Sequence, residues 1–358
     1  MSNFESVPID GIRKHDILML PKNTASQLDI LISSAIISGD DAIGMVYESL
    51  KSQTSTNINV YKTVDRSNFF NVLTWRVAVL KGIYQSKVIH YHFCKAPKMK
   101  GLDLTWCKLL DKPRFIQFWG SDVRRKSVWQ DLLPTWELLP ESYRIKISDD
   151  VSLRRQEEFA EKGFEAISSS WMLGQCIDKN LFRKVHHSRA SVELSRFRAA
   201  PPCPKKIKPL MLHFPSNPEL KGTEYVMRAI EILEKTRKFD FRVITNMRRA
   251  DLLKLVEEAD VIVDQFLLGA YGLAAIESMA MAKPVVCYVA PEYRKNLPSS
   301  CPIVNSHPDD LVGVLDGLIC DAQLRHDIGV RGRSYVEEYH CSGQVTGELK
   351  EIYKTWNK

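Results

Sequence analysis

One stretch constrains the fold of this chain more than any other: Ala259 to Val289, reading ADVIVDQFLLGAYGLAAIESMAMAKPVVCYV. Val261-Ile262-Val263 is a short β-branched apolar run that suits a parallel strand buried on both faces. A loop follows and ends in Tyr271-Gly272. Leu273 to Ala282 then holds good helix formers and few β-branched residues, which predicts a helix. Lys283-Pro284 stops it, because proline disfavours helical geometry in the residue before it. Val285 to Val289 is the next buried strand. Strand, glycine loop, helix and strand in this order make a βαβ element of a parallel sheet.

The loop is where chemistry can sit. Gly272 has no side chain, so a ligand can come close to the backbone there. The first N–H groups of the helix, from Leu273 onward, point at the same space, and the helix dipole favours an anion in it. Glu277 lies five residues beyond Gly272, about 7.5 Å along a helix axis. A phosphate at the helix start would bring an attached ribose near that carboxylate. The competing reading is a buried helix with a solvated Glu277, and the residues alone leave both open.

The segment GAYGLAAIESMAMAKPVV resembles the donor-site signature of family 4 glycosyltransferases, which have the two-domain GT-B fold. That family's pattern runs Glu-Gly-Phe-Gly, a few apolar residues, Glu-Ala-Met-Ala, a small residue or two, then Pro-Val-Val. Tyr271-Gly272, Glu277-Ser278-Met279-Ala280 and Pro284-Val285-Val286 follow it, while Gly269 replaces the first glutamate. Upstream, Lys221-Gly222 is similar to the family's Lys-Gly pair, whose lysine binds the donor diphosphate. A cation near a helix N-terminus is physically a good phosphate site; the bland alternative is a solvated lysine. Where the family carries an arginine a little earlier, this chain offers His213, Ser216 and Asn217. Gly120 to Arg124, GSDVR, resembles the family's His-Gly-x-Asp loop of the acceptor domain, with Trp119 in place of the histidine.

The rest of the chain reads as further α/β units. Strands are expected at Ile17 to Leu20, Asp41 to Tyr47, Ile58 to Val64, Lys87 to Phe93 and Arg114 to Phe118, with helices at Leu28 to Ser38 and Asn71 to Tyr84. The polar loop Pro21 to Gln27 lines a cleft or is a capped turn. Alternation puts His90 and His92 on one face of their strand, as core histidines or as site residues. Asp122 either caps a turn or contacts a ligand. Ser127 to Tyr143 reads as irregular, its Trp129 and Trp136 either stacking on a sugar or packing under the loop. Ala199 to Pro209 holds four prolines and three lysines, the mark of a stiff exposed linker.

At 358 residues the chain accommodates about two domains. The opening MSNFESVPIDGIRKHD has no apolar h-region, so a cytoplasmic place is expected. Eight cysteines without C-x-x-C or zinc spacing read as reduced thiols, mostly core filler. A net charge of +7 suits an anionic ligand or peripheral contact with the inner face of a membrane, but is too dispersed to argue for nucleic acid.

The resemblance implies an α/β chain of two Rossmann-like domains facing a central cleft. Residues 1–200 would form the acceptor side and 201–340 the nucleotide-sugar donor domain, with a C-terminal helix in 341–358 crossing back to the first domain. It implies transfer of a sugar from a nucleotide-diphosphate sugar to a hydroxyl of a sugar, lipid-linked or protein acceptor. Retention at the anomeric carbon, no metal and no cofactor are expected, in polysaccharide or glycolipid assembly. Ser216, Asn217, Lys221, Gly222, Tyr271, Gly272, Leu273 and Glu277 would bind the donor. Asp122 and His92 would supply the polar contact missing at Gly269 and Trp119. A second reading is a catalytically silent GT-B-like protein that binds or stabilises a partner transferase.

Overall fold

The computed structural model describes residues 15–47, 60–62 and 69–356. The leader reading at residues 1–14 lies outside these, as do both ends of the strand expected from Ile58 to Val64. The chain divides into two units: residues 1–124, 149–191 and 342–358 in the first, 125–148 and 192–341 in the second.

Among the described residues the first unit holds seven parallel strands: β1 His15–Leu20, β2 Ala42–Val46, β3 Val60–Lys62, β4 Ser86–His92, β5 Arg114–Phe118, β6 Glu165–Ser168 and β7 Val185–His187. Their order is β3-β2-β1-β4-β5-β6-β7. The strand order reverses between β1 and β4, which pair with Met19 opposite His90 and Leu20 opposite Tyr91. The loops after these two strands therefore diverge and open a crevice at the sheet's carboxyl edge. On one face, helix Gln27–Ile37 and helix Ser342–Lys354 bury Leu28, Leu31, Ile32, Val345, Leu349 and Tyr353 against Ile17, Met19 and Phe115.

The second unit has five parallel strands: β8 Leu210–His213, β9 Asp240–Val243, β10 Val261–Val263, β11 Val285–Cys287 and β12 Val304–Asn305, in the order β12-β11-β10-β8-β9. The reversal falls between β8 and β10, paired with Ile262 opposite Leu212. β10 and β11 are wholly buried, as their β-branched runs require. Helix Thr223–Leu233 turns Val226, Ala229, Ile230 and Leu233 inward, the i, i+3, i+4, i+7 stripe of an amphipathic helix. Helix Leu273–Ala280 packs against helix Ala322–Tyr339. The contact is close: a Cβ on Gly329 would lie 2.2 Å from the carbonyl oxygen of Ala282.

One expectation needs correction, and two features go beyond what the sequence suggested. Ser127 to Tyr143 is not irregular: it forms helix Lys126–Leu132, a 3-10 turn Trp136–Leu138 and helix Glu141–Arg144. Trp129 and Trp136 are buried there, and burial of large aromatic side chains outweighs the two prolines that made the segment look unstructured. The 199–209 segment is largely exposed and is also held in place. It is pinned along the second unit by Ala200 N–H donating to Met281 O at 3.0 Å and by His326 Nδ1 on Pro202 O at 2.9 Å. Lys283 and Arg325 reach its Ala200 and Lys206 carbonyls. Finally, the edge strand β7 was not expected, because three residues containing two histidines carry almost no periodicity. Among the described residues no helix is long and apolar enough to cross a membrane, and all eight cysteines are free thiols, half of them buried.

Candidate functional site

In the second unit the loops after β8 and β10 meet at the reversal of strand order, where open α/β sheets bind ligands. The loop after β8 runs through exposed Ser216 to Asn217, whose Oδ1 accepts the Leu220 N–H at 3.1 Å and caps the short helix Pro218–Lys221. Gly222 ends that helix at φ +74°, a left-handed conformation that suits glycine. A side chain there would also press on Leu267 Cγ at 3.3 Å and Phe266 Cβ at 3.4 Å. The Phe266 N–H donates to the Lys221 carbonyl at 3.1 Å. The Lys-Gly turn and the segment after β10 are thus held side by side.

Lys221 is not solvated. Its side chain is 11% exposed and its Nζ donates to Asp264 Oδ1 at 2.5 Å. Asp264 is the first residue past β10, with its side chain 4% exposed. An ammonium has three N–H donors, so this bond leaves two for an incoming anion. Beside the pair, the Gln265 side-chain amide donates to the Ala270 carbonyl and braces the loop. Gly272 is extended, at φ −114°, so conformation does not demand glycine there. What its missing Cβ provides is room: the nearest atom to that position is Gln265 Oε1 at 3.9 Å. No side chain caps helix Leu273–Ala280, so its leading N–H groups face that room. Glu277, one and a half turns on, is one-fifth exposed, and its Oε1 accepts from Arg249 Nη2 at 2.6 Å.

Tyr271 points away from this loop. Its hydroxyl lies 2.9 Å from the Tyr335 hydroxyl and 3.2 Å from His340 Nε2, and its ring stacks on Tyr293. Burial, with Tyr293 and Tyr335 close by, raises its pKa well above the usual phenol value, so the hydroxyl keeps its proton. Gly269, at the position of the family's first glutamate, has φ +64° and its carbonyl accepts the Ala290 N–H at 2.9 Å. His213 is also spoken for: Nδ1–H donates to Val263 O at 2.8 Å and Nε2 accepts from Thr223 Oγ1 at 2.8 Å.

The first unit gathers its own polar group where β4 and β5 end. His92 and His90 are fully buried and stacked, with ring centroids 4.3 Å apart. Trp119 Nε1–H donates to His92 Nδ1 at 3.3 Å, and His90 Nδ1 meets the Tyr353 hydroxyl at 2.6 Å. Burial lowers the pKa of His92 to about 3 and that of His90 well below the ordinary value, so both rings are neutral. Asp122 is buried with both oxygens on backbone: Oδ1 accepts Gly120 N–H at 2.6 Å, and both accept Trp119 N–H at 3.1 Å. Desolvation raises its pKa to about 6, against the pull of those N–H groups. In the bordering loops Ala25, Ser26 and Phe93 hold positive φ without being glycine, at 48°, 62° and 77°. Such strain collects at functional edges.

The structure therefore brings Lys221, Gly222, Gly272 and Leu273 to one loop cluster, with Asn217 as a cap, Ser216 exposed and Tyr271 turned into the core. Asp264, Gln265 and Arg249 are neighbours that motif reading passed over. The available signal was Asp264-Gln265 itself, two polar residues ending an otherwise apolar strand. Chemically, one lysine, an uncapped helix start and open backbone make an anion site. Among the described residues no group of three or more His, Cys, Asp or Glu side chains could hold a metal ion.

Two all-parallel α/β sheets in one chain are the fold of GT-B glycosyltransferases, and comparison with solved structures agrees. A glycosyltransferase from Rickettsia africae superposes with a TM-score of 0.66 at 15% identity, covering 96% of this chain and 100% of that one. Anabaena HepE in complex with UDP and glucose gives 0.65 at 14% identity, covering 95% and 100%. Sucrose-phosphate synthase from Thermosynechococcus elongatus gives 0.64 at 11%, covering 96% and 98%. No protein-family model matches the chain, and no curated protein matches it in sequence.

Proposed function

We propose that this protein transfers a sugar from a nucleotide-diphosphate sugar to a hydroxyl acceptor. One observation carries the reading: Lys221, the Gly222 turn and the open helix start at Gly272 meet at the strand reversal of the second sheet. The departing group in such a reaction is a nucleoside diphosphate, which gains negative charge as the glycosidic bond breaks. Lys221 and the N–H groups after Gly272 would neutralise that charge where it develops. Glu277 would take the ribose hydroxyls, as the family resemblance implies. Retention, independence of metal, and work on polysaccharide or glycolipid acceptors belong to the same reading and rest on that resemblance. HepE, a structural neighbour, binds UDP and UDP-glucose, which supports a nucleotide-sugar donor here.

The test is calorimetric titration with UDP, GDP and ADP, repeated on Glu277→Ala and on Lys221→Ala. Tight binding of one nucleotide, weakened about tenfold or more by either change, is expected from the loss of a charged hydrogen bond. No binding of any of the three by the wild type would sink the reading.

A second reading has one observation behind it. In the first unit His92 is buried and neutral, and both oxygens of Asp122 are tied to loop N–H groups. That favours a catalytically silent chain that binds or stabilises a partner transferase. It predicts no turnover with any donor, and a stable complex with another protein on pull-down.

A further inference from the structure

We propose that Asp264 determines donor specificity: Oδ1 holds Lys221, and Oδ2 accepts a hydroxyl of the sugar that the nucleotide carries. The proposal rests on the donor-site reading above and deepens it.

Asp264 Oδ2 is buried and has no hydrogen-bond partner among the described residues. Its sister oxygen is bonded to Lys221 Nζ at 2.5 Å. A buried carboxylate oxygen that receives no donor from the protein is costly unless something else supplies one. Its position points to a ligand. Asp264 leaves the carboxyl end of β10 at the strand reversal, and its chain neighbour Gln265 borders the open backbone of Gly272. An anion seated between Lys221 and that helix start would have Asp264 beside it.

The loop holds no other acid for this role. Between Asp264 and Glu277 there is no further Asp or Glu. Glu277 is given to the ribose in the donor-site reading, and Gly269, where the family signature has glutamate, offers no side chain. Lys221 offsets the charge of Asp264, so the carboxylate can sit near a diphosphate without repelling it outright. Its free oxygen then rewards a hydroxyl donor and penalises a second anion. The ligand class is a nucleotide-linked neutral hexose with that hydroxyl free, in preference to a uronic acid. A site built to accept a hydroxyl rejects ligands that lack it far more strongly than an apolar pocket does.

Two affinities should be measured for each protein: one for the nucleoside diphosphate and one for the matching nucleotide-hexose, UDP-glucose, GDP-mannose or ADP-glucose. Both ligands carry the diphosphate, so a disturbed Lys221 shifts both, and their ratio isolates Oδ2. In Asp264→Asn the ratio should fall about tenfold or more in favour of the bare diphosphate, the weight of one charge-assisted hydrogen bond. A ratio unchanged within about twofold, well below that weight, would assign Oδ2 to a buried water and overturn the proposal. Should Asp264→Asn fail to fold by thermal melting, the wild type carries the test alone. The matching uronic-acid donor should bind about tenfold more weakly than the hexose, and equal binding overturns the proposal. A wild type that binds no nucleotide overturns the donor reading and this one together, whereas a nucleotide-binding protein with an unmoved ratio overturns this one only.

Discussion

At the residue scale the Lys221–Asp264 pair lies at the centre of the second unit's candidate site, and it makes the simplest variant ambiguous. Lys221→Ala strands a buried carboxylate, which costs about 3 kcal/mol when one member of a buried pair is lost. It should therefore lower the melting temperature as well as nucleotide affinity. The double change Lys221→Met, Asp264→Leu removes both charges and should recover most of the stability. It should leave nucleotide binding lost, so melts and titrations together separate folding from binding. The motif reading found Lys221 because Lys-Gly is a local signal. It passed over Asp264 because the partner stands 43 residues away.

The first unit's titrating residues make a second prediction at this scale. His92 is held near 3, below its unfolded value of 6.5, so the folded state declines a proton that the unfolded state accepts. Its contribution to stability is present above pH 6.5 and is lost as pH falls below it. Asp122 acts in the opposite sense: raised from 3.8 to about 6, it adds stability as pH falls from 6 toward 3.8. The windows overlap, so only variants separate them. Denaturant unfolding of His92→Leu should lose about 2 kcal/mol less than the wild type between pH 6.5 and 4.5. Asp122→Asn should lose more than the wild type over pH 6 to 4. Parallel curves for all three proteins would contradict both assignments.

At the element scale the central βαβ unit was legible because its signals are local. β10 is Val261–Val263 as read, and the helix begins at Leu273 as read. It stops at Ala280, two residues short of the expected end, with Ala282 at φ +59°. The turn is held from outside: Lys283 Nζ donates to the carbonyls of Glu257 and Ala259 at 2.8 Å each, a partner set no local pattern encodes. Burial lowers the pKa of this lysine to about 8. The glycines of neighbouring helices give a matched pair of tests. Gly329→Ala would drive a Cβ to 2.2 Å from the Ala282 carbonyl oxygen, which must force helix Ala322–Tyr339 away. Overpacking of this kind costs about 1–3 kcal/mol. Gly317 sits inside helix Leu311–Cys320, and a methyl group added there would meet nothing within 4 Å. Gly317→Ala should instead add about 0.5–1 kcal/mol through helix propensity. Opposite shifts in melting temperature are the expected outcome.

At the scale of the whole molecule the chain composes its first unit from three separated segments, the last of them residues 342–358. Leu349 and Tyr353 lie beyond the second unit in sequence, yet are buried in the first unit's core against Leu28, Leu31 and Phe115. Leu349→Ala should cost about 2–5 kcal/mol by transfer and cavity terms. Hydrogen exchange should report the loss in helix Gln27–Ile37 while helix Thr223–Leu233 keeps its protection. Equal losses in both would show that the C-terminal helix does not belong to the first unit's cooperative core.

By itself the sequence pointed to the α/β class, most strands and helices, and the loop residues Lys221, Gly222, Gly272 and Leu273. Those features are written in contiguous residues: β-branched runs, the 3.6-residue stripe, and the glycine and proline that end elements. Only the tertiary structure decided that Asp264 grips Lys221, that Tyr271 turns inward to Tyr335, and that His92 stays neutral under Trp119. These depend on strand order and on which side chains lose their water, and neither is a property of neighbouring residues in a chain.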